Sequence, residues 1–392
     1  MRLARSSTIA SRTTFCFRLA SSRQRARCSV AMMRAHADSR LHQGNLVSIS
    51  FVSGGSEVPM RDAKTLVQAV TPHDPVIAKS GFGISVGHST DAAGATGCTV
   101  IMGTSGPLRA SAFAFGRATG TREYALLEPW ASNDRIDAIL LTGGSAYGLD
   151  AAAGVMRWME ERGRGYAIAG GVVPIVPAAV VFDLAPLGSF AARPTAAMAY
   201  DACDKATPSG WAEGSVGVGT GCTVGKLRGP ARSMKGGFGV GLSAGAPLAC
   251  ALAAVNAVGH VRDHSGEIIA SARGDDGALL NCELHVLTSP PGVRPGAEPG
   301  ANTTISVVAL NRGFSKIELH RIARAASGAL ARRIGPFGTA FDGDIVFVVC
   351  PVDAPAGDAL SAEVAAIGAL EDAIVRAVRA AKGRDGIRGL AD

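Results

Sequence analysis

Aromatic residues are scarce, at 5% of 392, and charged residues make up only 18%. A nucleic-acid surface needs clustered cations and stacking rings, and neither is in good supply. The formal charge of +7 does not rescue that reading, because it is confined to one end of the chain. Residues 1–50 hold nine arginines against one acid, Asp38, a balance of +8 that leaves residues 51–392 at −1. Long hydrophobic runs are missing too: the longest uncharged apolar stretch, residues 167–182, is interrupted by Pro174 and Pro177 and is too short to span a bilayer. None of the eight cysteines forms a CxxC pair, so neither a zinc site nor a disulfide framework is indicated. Cysteines such as Cys350, which follows an apolar run, read as reduced core residues of a cytoplasmic protein.

What is abundant is apolar residues, at 47%, and glycine, with 50 copies. The first supports a substantial core and the second implies many tight turns and close backbone approaches. Residues 1–59 stand apart as an Arg- and Ser-rich leader. They fit either a transit-type presequence or an extension upstream of a start at Met60. Residues 60–392 are expected to form one domain.

Strand-like runs fall at 82–88, 136–142, 215–220, 247–255, 282–288, 304–310 and 344–350. Helices are expected at 146–162, 190–206, 315–333 and 358–381. Ser315 followed by Glu318 is a capping-box pattern. Leu360, Val364, Ile367, Leu370, Ile374 and Val378 mark an amphipathic stripe on the last helix. Strands grouped in runs, not in strict βαβ alternation, predict a layered α+β fold with mixed sheets. The conspicuous break is SPPGVRPGAEPG (289–300), which suits neither strand nor helix.

Several motifs have ordinary explanations. GVGTG (217–221) and GFGVG (237–241) are half-fingerprints without the strand–helix context of dinucleotide binding. TGCTVGKL (220–227) misses a phosphate loop at Thr220 and Leu227. GLSAG (241–245) matches a nucleophile elbow, yet Ser243 lies between two strand-like runs and reads as a turn serine. His260 and His264 have i,i+4 spacing, but in a turn-like segment with no third ligand they read as hydrogen-bonded or solvent-facing histidines.

The stretch PGANTTISVVALN (299–311) is harder to place. Asn302-Thr303-Thr304 formally fits a glycosylation sequon, but no signal peptide or disulfide pattern supports secretion. Strand entry explains the β-branched residues, and self-cleavage exposing a nucleophile is the other reading. Downstream, Asp342 and Asp344 open the apolar strand IVFVVC two residues apart, so in extended chain they share one face. Such a pair is costly unless it is solvated or functional, and a DGD turn allows either.

NTTISVVALN, with FDGDIVFVV about 40 residues later, resembles the L-aminopeptidase/D-esterase-amidase family. It is most similar to the Thr-nucleophile branch that includes the 6-aminohexanoate (nylon) oligomer hydrolase. GGSAYGLDAAAGVMRWMEERG (143–163), VPIVPAAVVFDL (173–184), GVGTGCTVGK (217–226) and ALAAVNAVGHV (251–261) resemble it in the same order, so the likeness covers about residues 78–382. The resemblance implies a four-layer αββα sandwich of the self-processing type shared with ornithine acetyltransferase. It also implies cleavage between Asn302 and Thr303, giving an α-subunit ending at Asn302 and a β-subunit of residues 303–392.

By the same resemblance Thr303 is nucleophile and base, since its freed α-amine (pKa roughly 7.7–8) can take the proton of its own hydroxyl. Lys226 is implied as a cationic neighbour, Asn256 as an amide donor to the oxyanion, and Tyr147 as a residue of the same site. Asp342 and Asp344 are implied to orient the Thr303 hydroxyl and amine. No metal or organic cofactor is implied. The expected substrate is a small amide or short peptide, and the expected assembly a tetramer of processed pairs. The rivals are a transacylase and an uncleaved binding relative. Two departures matter. Gly338 precedes Thr339 where the nylon-hydrolase pattern has His. The Ser-type members carry Ser and Glu where this chain has Asp342 and Asp344, so their substrate preferences do not carry over.

Overall fold

A computed structural model describes residues 80–244, 248–290 and 302–392. The leader, Met60 and nearly all of the Pro/Gly-rich stretch lie outside the described residues. In chain order the first half supplies strands β1 (Ile84–Asp91), β2 (Thr96–Gly103), β3 (Leu108–Ala114), β4 (Thr121–Arg122), β5 (Arg135–Ile136) and β6 (Ala138–Thr142). Helix α1 (Ala152–Glu160), β7 (Tyr166–Ile168), β8 (Gly171–Val173), β9 (Ala178–Val180) and α2 (Ala196–Asp204) follow. Next come β10 (Thr223–Val224), β11 (Met234–Lys235), β12 (Gly237–Leu242), β13 (Ala249–Asn256), β14 (His260–Arg262), β15 (Ile268–Ala270) and α3 (Cys282–Thr288). The chain ends with β16 (Thr303–Leu310), α4 (Lys316–Ala326), α5 (Gly328–Arg333), β17 (Ile334–Gly335), β18 (Ile345–Pro351) and α6 (Ala359–Arg379).

Two large sheets organise these elements, ordered β1-β2-β6-β9-β4 and β12-β13-β16-β18-β3-β5. Strand alternation sorts the side chains into three cores. Cys250, Leu252 and Ala254 of β13, with Ile305, Val307 and Ala309 of β16, meet Val86, Ile101 and Leu141 of the other sheet. The opposite face of the same strands, including Ala251, Val255, Val308 and Leu310, packs on α4 and α6. Val100, Met102 and Leu140 of the first sheet pack on Val155 and Met159 of α1 and on Ala199 and Ala202 of α2. The result is the expected αββα sandwich. β13 and β16 are buried on both faces, which is why they read as continuous apolar runs.

The glycines of GFGVG serve packing. A Cβ on Gly239 would lie 2.1 Å from the Ala373 carbonyl oxygen, and one on Gly241 would lie 2.2 Å from that of Ala369. Only bare backbone lets α6 settle this closely on β12. The stripe that α6 buries is accordingly alanine-rich, with Ala362, Ala366, Ala369, Ala373 and Ala377 beside Leu370, Ile374 and Val378. Leu360 and Val364 of the expected stripe are exposed instead.

Two expected strands are not strands. At 215–220 the positive φ of Gly217 turns the chain into a short 3₁₀ helix, Gly217–Gly219. At 282–288 the chain is α3, because the Asn281 side chain caps it by accepting from the Leu284 N–H and Glu283 sits in its first turn. The capping box on α4 forms as the sequence indicates.

Candidate active site

Antiparallel pairing of β13 with β16 puts Asn256 opposite Thr303. β18 runs parallel to β16, so Asp344, one residue before β18, arrives at the same end of the sheet. Asn302 forms an isolated bridge with Asp342 there. Thr303 is 3% exposed, and Asn302, Asp342 and Asp344 are also buried. In the uncut chain the Thr303 hydroxyl donates to the Asn302 carbonyl oxygen at 2.6 Å, across the bond expected to break. The Gly343 N–H donates to the same oxygen at 2.9 Å.

Lys226 reaches this end from the turn after β10. The turn is fixed by Gly225 N donating to Gly259 O and Lys226 N to Val258 O. The Lys226 ammonium donates to the Asn256 Oδ1 at 2.8 Å and to the Asn256 carbonyl at 3.0 Å. Burial pulls its pKa down to about 7, and the negative charges of Asp342 and Asp183 offset only part of that. Asn256 is therefore locked from both sides. Its Oδ1 also accepts from Thr223 N, and its Nδ2 donates to the Phe182 carbonyl at 3.0 Å.

The two aspartates come together, but in this state the Asp344 carboxylate holds the backbone beside Thr303 while that of Asp342 holds Thr339. Asp344 Oδ1 accepts from Thr304 N at 2.6 Å and its Oδ2 from Gly338 N at 3.2 Å. Asp342 Oδ2 accepts from both the N–H and the hydroxyl of Thr339. Burial, aided by the charge of Asp342, raises Asp344 to about 7, while burial raises Asp342 as well. Gly338 has φ +59°, so the departure from His at this position suits a left-handed turn that feeds its N–H to Asp344.

Tyr147 lies in the 3₁₀ turn after β6, 54% exposed, with the Arg193 guanidinium 3.5 Å from its ring centroid. That turn is tied to the neighbourhood of Asn256 through Asp183, whose Oδ1 accepts from Gly144 N and whose Oδ2 accepts from Thr96. Burial raises Asp183 to about 6.

The other candidates disperse. Ser243 accepts from Leu248 N and Ala249 N as a turn residue. His260 is buried and accepts from Cys282 N, with burial lowering its pKa to about 4. His264 faces Asp372 instead. Among the described residues no group of three or more His, Cys, Asp or Glu could hold a metal ion. None of the described helices is long and apolar enough to cross a membrane.

Sequence reasoning missed Asp183, Thr339 and Gly343. The first two lie inside segments that resemble the family, yet as single letters neither carried a role. The third contributes a backbone N–H, and its only signal was a glycine held between two acids.

The structure is thus a β-sandwich flanked by helices, with Thr303 buried at the entrance of a central strand. The model of Peptidase family S58 matches residues 82–391, and the chain belongs to that family. It is 42% identical over 323 residues to an uncharacterised aminopeptidase of Mycobacterium tuberculosis, covering 76% of this chain and 91% of the relative. It is 30% identical over 272 residues to a 6-aminohexanoate-oligomer endohydrolase of an Agromyces species, covering 68% and 72%. Among solved structures, it resembles the L-aminopeptidase D-Ala-esterase/amidase of Ochrobactrum anthropi, described as a variant of the Ntn hydrolase fold. That match has a TM-score of 0.57 at 21% identity over 78% of this chain and 87% of that one. A Burkholderia β-aminopeptidase gives 0.55 at 21% over 79% and 88%. The family and the aminopeptidase relatives support a peptide or amide hydrolase.

Proposed function

We propose that the chain is a self-cleaving amidohydrolase or aminopeptidase that acts on small amides or short peptides through an acyl-Thr303 intermediate. The observation that carries this reading is the Thr303 hydroxyl held 2.6 Å from the oxygen of the preceding carbonyl, opposite Asn256. In the first reaction Thr303 Oγ bonds to the Asn302 carbonyl carbon and the Asn302–Thr303 C–N bond breaks, the proton passing to the departing nitrogen. Water then hydrolyses the ester, leaving an Asn302 carboxylate and a free Thr303 amine.

That amine takes the hydroxyl proton in each later turnover. Asn256 Nδ2 donates to the oxyanion of the substrate, and Lys226 holds Asn256 by its Oδ1 so that the amide keeps this orientation. Asp344 holds the backbone beside Thr303, and after cleavage Asp342 and Asp344 orient the Thr303 hydroxyl and the new amine. The 6-aminohexanoate-oligomer relative supports amide substrates, and we infer a cytoplasmic tetramer of processed pairs.

The test is turnover of a panel of aminoacyl and ω-amino amides. Wild type and Ser243→Ala should be active and Thr303→Ala inactive. Activity surviving Thr303→Ala would refute the reading, and acyl transfer to an added amino acid outpacing hydrolysis would favour a transacylase.

A further inference from the structure

We infer that the backbone N–H of Gly343 is the oxyanion donor for self-cleavage, a role that rests on the cleavage proposed above. The Asn302 carbonyl oxygen accepts from the Thr303 hydroxyl at 2.6 Å and from Gly343 N at 2.9 Å. The hydroxyl must turn away from that oxygen to present its lone pair to the carbonyl carbon. As the C–O bond forms, negative charge develops on the Asn302 oxygen, and the Gly343 N–H stays on it.

The donor is held in advance, which is what makes such a group effective. The carbonyl of Asp342 accepts from Arg117 N at 2.8 Å and Ala118 N at 3.0 Å, and that of Asp344 from Phe115 N at 3.2 Å and Gly116 N at 3.1 Å. The Asp342 carboxylate is anchored to Thr339 and that of Asp344 to Thr304 N and Gly338 N. The peptide between the two aspartates is thereby pinned on both sides.

The residue type follows from the same geometry. A Cβ at position 343 would lie 2.9 Å from Thr303 Oγ1 and 2.7 Å from the Ala118 carbonyl oxygen. Any side chain would crowd the nucleophile that the N–H assists.

The step balances without a co-reactant. Thr303 Oγ gains the acyl group, and the Asn302–Thr303 C–N bond breaks. The hydroxyl proton ends on the Thr303 nitrogen, and the transient oxyanion collapses to an ester carbonyl. Water cleaves that ester to the Asn302 carboxylate and the original hydroxyl.

The test replaces Gly343 with glycolic acid, which turns the N–H into an ester oxygen and adds no atom beside Thr303. Formation of the fragment starting at Thr303 is followed by intact mass in the full-length chain. The ester chain should cut about 10²–10³-fold more slowly than wild type. A rate within threefold of wild type, with the wild type cutting, overturns this inference alone, and a wild type that never cuts overturns the parent reading with it. Hydrogen exchange in the Thr303→Ala chain reports the bond without the ester variant. Slow exchange at the Gly343 amide is expected, and exchange at the rate of an open loop overturns it.

Discussion

Asn256 and Thr303 are register partners at the ends of two neighbouring central strands, and both are buried. The amide of one is thereby fixed against the start of the strand that carries the other. Lys226, Thr223 and Phe182 hold that amide by three further bonds.

Asn256→Asp keeps an acceptor for Lys226 and Thr223 but loses the Nδ2 donor. The protein is expected to fold and its hydrolytic rate to fall about 10²–10³-fold. Asn256→Leu also strands two buried donors, at about 1–3 kcal/mol each, and should lower the unfolding temperature as well. Circular dichroism melts beside amide-hydrolysis rates separate the two variants.

The titrating groups predict opposite pH slopes of stability in the uncut Thr303→Ala chain. The folded pKa of Asp344 is raised from 3.8 to about 7, so between those values the native state binds more protons and stability falls as pH rises. The folded pKa of Lys226 is lowered from 10.5 to about 7, so between those values the unfolded state binds more protons and stability rises with pH. Asp344→Asn should flatten the first slope and Lys226→Met the second, as read from urea unfolding across pH 4 to 10.

Gly239→Ala should destabilise by about 1–3 kcal/mol, because its methyl would meet the Ala373 carbonyl at 2.1 Å. Gly171→Ala, with open space around it, is the control and should change little. Thermal unfolding of the pair checks whether α6 sits on β12 through bare glycine.

Ser243→Ala removes an acceptor for two backbone N–H groups and should cost about 1 kcal/mol without loss of activity. Loss of activity with folding intact would return Ser243 to the list of nucleophiles.

The sandwich was legible where burial and pattern agree. β16 is a β-branched run buried throughout, β18 is one buried up to Cys350, and α4 carries its own cap. Local chemistry overrode pattern at 215–220, through the left-handed Gly217, and at 282–288, through the Asn281 cap. On α6 the expected stripe holds at Ile367, Leu370, Ile374 and Val378 and fails at Leu360 and Val364, and the alanines that meet the glycines of β12 were not foreseen. At the site, Thr303, Lys226, Asn256 and the aspartates were named through family resemblance, since spacing alone left each an ordinary alternative. Gly343 showed only as a glycine held between two acids, because a backbone N–H leaves no letter in a sequence.

The central claim is that Thr303 cuts its own chain and then serves as the nucleophile. Intact-mass analysis of freshly purified protein over time, with Edman sequencing of the smaller fragment, tests it most directly. The account predicts two fragments, the smaller beginning Thr303-Thr304-Ile305, and a single uncut species from Thr303→Ala. An active wild-type protein that remains one full-length species, or one cut at another bond, would contradict it.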